Sequence, residues 1–524
     1  MIIEKAALQN PADISVPPKG AKAVISGSDD WYGAYSLETF SSASSLTYTH
    51  EDANGFLDYP TSFRPANFWG KDAGVKVWAY EEANDNYLDT YGMDAVTVFY
   101  HSGHGNMDSS GIFQAPLGGK WDNRDWAFSN KMAFANEELR YLFWSTCFSL
   151  RVSGPDNPVR TWWTPNKGGL RMMFGYETTS VDHPGYGKFF WEEWNKNKPF
   201  ARAFLDASWR ISHHQVPVVM ASGKDRATAI SMLNNERHFS RTPSARNWYQ
   251  WQWIGTLPSR ALANEIIMPT AHEAISLGNK FTDDEQLSKI ACLVGATRKE
   301  AETFLIDAHG NRLSTSKEVH TTVSNTGALN LYFGKSNMAN ENAIDEAKAI
   351  KIAEELINSL DLNKGIKLER GTTRYKFTAG GTHQGSGTLE APKIVETIIQ
   401  FRQAHQGVKS VNSDHGLIAI TIDNDGRVVN AYDSTRNIMP AAKKRPVVVS
   451  PPDPKQNEGG EIDAHFTKKL NKIIADGESR STLLYEAIGY DFSSNIGTLV
   501  HHKEVEVYFG HNLKKRYILR IPLQ

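Results

Sequence analysis

Residues 96–106, VTVFYHSGHGN, carry an apolar run straight into two histidines, His101 and His104, interleaved with glycines. Forty-three residues after His104, LRYLFWSTCFS does the same with small polar residues and then Cys147. A thiolate attacks a carbonyl carbon far better than a thiol does. An imidazole beside it takes the thiol proton or holds it as an ion pair at neutral pH. Such a site also needs donors for the oxyanion, which the backbone N–H groups of Gly105 and Cys147 are able to supply. The glycines allow a tight turn and a close approach of backbone to a bound substrate.

Both runs read as buried parallel strands whose tips lie on one edge of an α/β sheet, where binding and catalytic groups collect. The candidate strands of the first half are Ala21–Ser26, Val75–Tyr80, Ala95–Tyr100, Arg140–Trp144, Leu170–Tyr176 and Val216–Ser222. Between the last two, GKFFWEEWNKNKPFARAFLDASWRI has helical spacing, with Pro199 suited to the first turn of a second helix. All 14 Trp lie between Trp31 and Trp253 and none in the last 271 residues, which sets a boundary near residue 258. Residues 259–524 read as α+β. Helices are expected over Glu341–Leu360 and Lys393–Ala404, a hairpin over Leu417–Ala431 turning at Asn424-Asp-Gly, a Pro-rich loop at 447–461, and a closing hairpin over Glu504–Leu523.

In this order of elements, the first half resembles the caspase, gingipain and legumain superfamily of cysteine peptidases, clan CD. There a hydrophobic strand ends in His-Gly and the next ends in a small residue followed by the catalytic Cys. Here these are His104-Gly105 and Thr146-Cys147, and GGLRMMFGYETTS is similar to the following strand, whose tip borders the substrate cleft. The resemblance covers roughly residues 20–260. It implies a caspase-like, mostly parallel sheet flanked by helices, a protein or peptide substrate, and no cofactor. Cys147 would be the nucleophile, His104 the base and Gly105 an oxyanion donor. Thr before the Cys and the additional His101 depart from the usual pattern. The stretch from KIVETIIQFRQAHQGV through NDGRVVNAYDS is similar to PepSY-type propeptide modules of metallopeptidases, which would make the C-terminal half a regulator of the first.

Peptidases of that superfamily cut after one charged or polar side chain, read by a pocket at the strand tips. Asp29 and Asp30 after the first strand and Asp182 after the fifth would make that pocket acidic, accepting Arg or Lys; capping of turns is the plainer role for them. His101 and Trp144 are further candidates for lining the cleft, and Trp162 and Trp163 line it or pack. Arg171, inside a strand, reads as structural. Two other readings stay open: a catalytically idle binding or scaffold module, and a zinc hydrolase with His101, His104 and Cys147 as ligands and Asp108 nearby. Cys292, in LSKIACLVGATRKEA, reads as helix core, and the pairs His213-His214 and His501-His502 read as surface.

Composition narrows the partners. With 57 Lys plus Arg against 59 Asp plus Glu, the net charge of −2 gives no general attraction to nucleic acid or an anionic membrane. Two cysteines make no disulfide framework in 524 residues, and no run of about 18 apolar residues or secretory leader is apparent. The pattern suits a cytoplasmic chain, and equally the mature form of a secreted one; oligomeric state is not written in it.

Overall fold

The computed structural model describes residues 2–5, 11, 30–257, 274–307, 310–385, 387–439, 458–473 and 480–523. In the first half the strands are β1 (Tyr32–Ser36), β2 (Phe68–Lys71), β3 (Val98–Ser102), β4 (Tyr141–Ser145), β5 (Met172–Tyr176), β6 (Pro217–Gly223) and β7 (Trp248–Gly255). Their order across the sheet is β2-β1-β3-β4-β5-β6-β7, parallel from β2 to β5 and antiparallel beyond. The helices α1 (Thr49–Thr61), α2 (Tyr186–Trp194), α3 (Phe200–Ile211) and α4 (Arg226–Asn235) connect them.

Both faces of the sheet are covered, which explains the unbroken apolar runs. Alternate residues such as Tyr100, Phe143 and Phe174 pack with Phe56 of α1 and Phe190 of α2, and Phe143 stacks on Phe174 at 4.0 Å. Burying each such ring contributes roughly 1.5–3 kcal/mol. Phe99, Leu142, Trp144 and Met173 face the other way, onto a turn-rich layer formed by residues 75–80 and 106–135. Residues 75–80 are thus not the expected strand: they hold one short 3-10 turn, Val77–Ala79, preceded by another at Asp72–Gly74, and lay Val75, Val77 and Tyr80 on the sheet. The expected strand Ala21–Ser26 lies outside the described residues.

The second half adds α5 (Glu346–Ser359), β8 (Lys367–Arg370), β9 (Arg374–Thr382), β10 (Lys393–His405), β11 (Leu417–Asp423), β12 (Val428–Asp433), β13 (Arg480–Asp491), β14 (Ile496–Phe509) and β15 (Leu513–Pro522). The sheet runs on through the compositional boundary near 258, because β7 pairs with β9 from Tyr249↔Gly381 to Gly255↔Tyr375, and β10, β11 and β12 follow. Residues 2–5 join this second half, pairing in parallel with Thr303–Ile306. Buried charges also bridge the halves: Arg202 of α3 reaches Asp206 at 2.8 Å and Glu396 of β10 at 2.7 Å.

The helix expected over Lys393–Ala404, on which the likeness to propeptide modules leans, is instead the strand β10. Paired with β9 and β11 and buried along most of its length, it lacks the alternation of a one-sided strand. The hairpin β11–β12 and the closing hairpin β14–β15 are as expected. The Pro-rich loop falls almost wholly outside the described residues. The antiparallel set β13-β14-β15 forms a separate sheet that folds back onto the first half. No helix among the described residues is long and apolar enough to cross a membrane.

Candidate active site

Strands β3 and β4 are in register, with His101 opposite Trp144 and Ser102 opposite Ser145. His104 and Cys147 therefore each lie two residues beyond paired strand ends, at the same edge of the sheet. The loops that carry them touch. The Gly103 N–H donates to the Ser145 carbonyl at 3.4 Å, and a Cβ at Gly105 would stand 2.8 Å from the Cys147 carbonyl oxygen. Only glycine permits that approach. Phe148, next after the Cys, is held at φ 54, a left-handed conformation costing about 1–2 kcal/mol for such a residue, while its N–H donates to the Thr178 carbonyl at 3.1 Å.

Cys147 is fully buried. Its Sγ accepts from the Ser180 N–H at 3.3 Å and lies 3.5 Å from Ser180 Oγ. His104, also buried, donates its Nε2 proton to the Ser44 carbonyl at 3.0 Å, which leaves Nδ1 as the basic nitrogen, and Nδ1 has no partner. The ring packs between Phe40 and Phe509, with centroids at 4.9 and 5.4 Å. Burial, and secondarily the charge of Lys515, hold the imidazole down to about 3, so it is neutral as it stands. Cys147 and His104 share no hydrogen bond.

The closing strand occupies the edge of this site. β15 adds to the segment after β5: the Arg516 N–H donates to the Ser180 carbonyl at 3.1 Å, and the Asp182 N–H donates to the Arg516 carbonyl at 3.0 Å, a parallel bridge between Val181 and Arg516. Lys515, only 3% exposed, extends its ammonium to Ser180 Oγ at 3.1 Å and the Gly103 carbonyl at 3.5 Å. Among the described residues it makes no ion pair within 4 Å; the nearby charge of Asp182 acts at longer range. Asp182 itself is buried and accepts from the Thr47 and Tyr48 N–H groups at 3.0 and 3.3 Å. Burial raises its pKa above the usual carboxylate range, partly offset by Lys515.

Residues 30–253 match the model of a family described as a domain of unknown function, DUF6345. The match spans β1 to β6 and most of β7, with α1 to α4 and both strand tips. No curated protein and no solved structure matches the chain.

Of the residues expected to read the substrate, Asp182 alone stands at the site. Asp30 is at the opposite edge: the first strand starts at Tyr32, so Asp30 precedes it, at φ 53, and its carbonyl accepts from Thr97 N–H at 2.9 Å. Asp29 lies outside the described residues. Trp144 does not line a cleft, being packed with Tyr80, Phe113 and Trp162 beneath the sheet. His101 is beside it, bonded through Nδ1 to the Tyr80 hydroxyl at 2.7 Å and held down to about 3 by burial, then by Lys515. Trp162 is core as well, and Arg171 pairs with Glu236 at 2.6 Å. Among the described residues no three His, Cys, Asp or Glu side chains are grouped as a metal requires. Cys292 is exposed, not core: its helix buries Leu287, Ile290 and Ala291 instead.

Several residues at the site carry no sequence signal. Ser180, Ser44 and Lys515 are of this kind, as is Asp52 of α1, which accepts from Tyr100 Oη and Ser102 Oγ at 2.7 Å and from the Gly187 N–H at 3.0 Å. An acid in the first turn of a helix looks like a dipole complement, and only the fold brings these donors to it.

Proposed function

We propose that the chain is a cysteine endopeptidase of caspase-like fold, cutting after basic residues and held closed by its own C-terminal strand. The observation that carries the reading is the strand addition of β15 to Ser180–Asp182, with Lys515 buried between the two strand tips that bear His104 and Cys147. An extended peptide in that place would present a basic side chain where Lys515 now sits, near Asp182. Main-chain pairing gives affinity in such strand addition, and the side-chain pocket gives selectivity.

In the reaction, His104 Nδ1 takes the Cys147 proton and the thiolate attacks the scissile carbonyl carbon. The C–N bond breaks, the amine leaves with the proton from His104, and a thioester remains. Water, giving a proton to His104, adds to the thioester; the C–S bond breaks, releasing the carboxylic acid and restoring the thiol. For this, β15 must leave. Its departure would remove Lys515 and open the buried ring of His104 to water, and both changes raise the imidazole toward its ordinary range.

A second reading, a catalytically idle module, is favoured by one observation: Cys147 has no exposed surface and no hydrogen bond to His104. The two are separated by testing peptides with Lys or Arg before the scissile bond against the wild-type chain, Lys515→Glu and Lys515→Glu with Cys147→Ala. The peptidase reading expects cleavage by the second that is abolished in the third. An inert thiol in every form supports the idle module.

A further inference from the structure

A cavity of about 490 Å³ lies where the end of α3, the strands β8 to β10 and the sheet β13-β14 meet, apart from Cys147 and His104. Four fixed cations line it, Arg370, Arg374, Arg402 and Lys409, against two carboxylates, Glu369 and Glu504. The carboxylates are already engaged. Glu369 lies 3.6 Å from Lys409. Glu504 accepts from Ser212 Oγ at 2.8 Å and His214 Nδ1 at 2.9 Å, with Arg516 at 3.6 Å.

Two arginines have no carboxylate within ion-pair distance among the described residues; Glu504 acts on Arg374, and Asp414 on Arg402, only at longer range. Arg374 is 6% exposed and makes no hydrogen bond or ion pair among the described residues, and its Nε is buried without a partner. Arg402 donates only to neutral acceptors, the Asn412 carbonyl and His213 Nδ1, the latter at 3.1 Å. Burial, followed for Arg374 by the charge of Arg402, lowers both guanidinium groups to about 10. Removing an unpaired guanidinium from water is costly, and placing two together adds repulsion. Glu504 and Asp414 offset that cost only in part, and both guanidinium groups stay below their ordinary range, which is the arrangement of a site awaiting an anion.

We infer that this cavity binds a phosphomonoester, with its phosphate between Arg374 and Arg402. Arg370 is paired with Glu346 at 3.8 Å and Lys409 with Glu369, so Arg374 and Arg402, on different strands of the cavity wall, are the two cations left to match a phosphate dianion. The volume is that of a small-molecule site and leaves room beyond a bare phosphate. Tyr485, tilted against His214 with centroids 4.2 Å apart, offers an aromatic wall for the organic part.

The test is calorimetric titration of the full chain, in chloride buffer, with inorganic phosphate and with phenyl phosphate, alongside melting temperatures. Saturable binding is expected, at least tenfold weaker in Arg374→Met and in Arg402→Met and unchanged in Arg298→Met, whose side chain is 87% exposed. Melting of the wild type should rise with ligand, whereas Arg374→Met, relieved of a buried unpaired charge, should melt no lower than wild type without ligand and gain nothing from it. Phenyl phosphate binding at least tenfold tighter than phosphate supports the monoester. Equal affinity would overturn it in favour of free phosphate. No saturable binding of either probe, or binding that both substitutions leave intact, would overturn the site altogether.

Discussion

Lys515 and Cys147 meet on one atom, the hydroxyl oxygen of Ser180, at 3.1 and 3.5 Å. A residue of the closing strand β15 thus shares a contact with the strand-tip thiol. It does so without an ion pair among the described residues, as a buried cation whose desolvation is offset by two hydrogen bonds and the more distant charge of Asp182. The strand that carries it is held mainly by its pairing with β14, and the proposed function requires that this strand move away from Ser180.

Substituting Lys515→Glu would set a carboxylate beside Asp182, itself buried and already above its usual pKa. Like charges there repel, by less than the about 4 kcal/mol that an effective dielectric of 20 gives at 4 Å, because the two groups stand farther apart than that. Alkylation of Cys147 by iodoacetamide is expected to accelerate at least tenfold, measured by mass spectrometry of the peptide that carries it. A rate equal to wild type would show that β15 does not guard the thiol.

In the native wild-type chain one thiol is expected to react fast with a chromogenic disulfide and one slowly, because Cys292 is exposed and Cys147 is not. Cys292→Ser should remove the fast phase and leave the slow one, which unfolding then converts to fast.

Acid should weaken the fold. His101 and His104 sit at about 3, below the ordinary value near 6.5, so the unfolded chain takes up protons that the folded chain refuses. Their contribution is intact above pH 6.5 and is lost progressively from there toward pH 3, by about 1.4 kcal/mol per pH unit for each. Asp94, raised to about 7 mainly by burial, acts in the opposite sense between pH 7 and 4. Urea midpoints at pH 7.5 and 5 should therefore fall, and fall less in His104→Asn. An unchanged difference in that variant would contradict a neutral buried His104.

Gly105→Ala should cost about 1–3 kcal/mol, since its Cβ would meet the Cys147 carbonyl at 2.8 Å and Phe113 at 2.8 Å. Thermal unfolding reads this directly. An alanine chain as stable as wild type would mean that the two loops are not in contact.

The strands that position the site were legible because each is a short apolar run ending in small polar residues, as with β3, β4, β5 and β6. Where burial on both faces removes alternation, the same signal is ambiguous. KIVETIIQFRQAH satisfies helical spacing as well as it does a fully paired strand, and pairing with β9 and β11 decides for strand. VKVWAY is apolar because it lies on the sheet, not within it. Asp30 was misplaced because the first strand starts at Tyr32, which moves it from the functional edge to the opposite one. Lys515 was out of reach of any local pattern, since 412 residues separate it from Gly103, whose carbonyl it touches. His213 is buried, not at the surface: a histidine pair after a helix says nothing of the strands that later cover it.

The central claim is that Cys147 cleaves peptide bonds once β15 is displaced. The most direct measurement is the rate of hydrolysis of Lys- and Arg-containing peptides by the Lys515→Glu chain, beside the same chain with Cys147→Ala or His104→Ala. The account predicts cleavage on the carboxyl side of the basic residue, abolished by either second substitution. Cleavage that survives Cys147→Ala, or a folded Lys515→Glu chain with a reactive Cys147 and no hydrolysis, would contradict it.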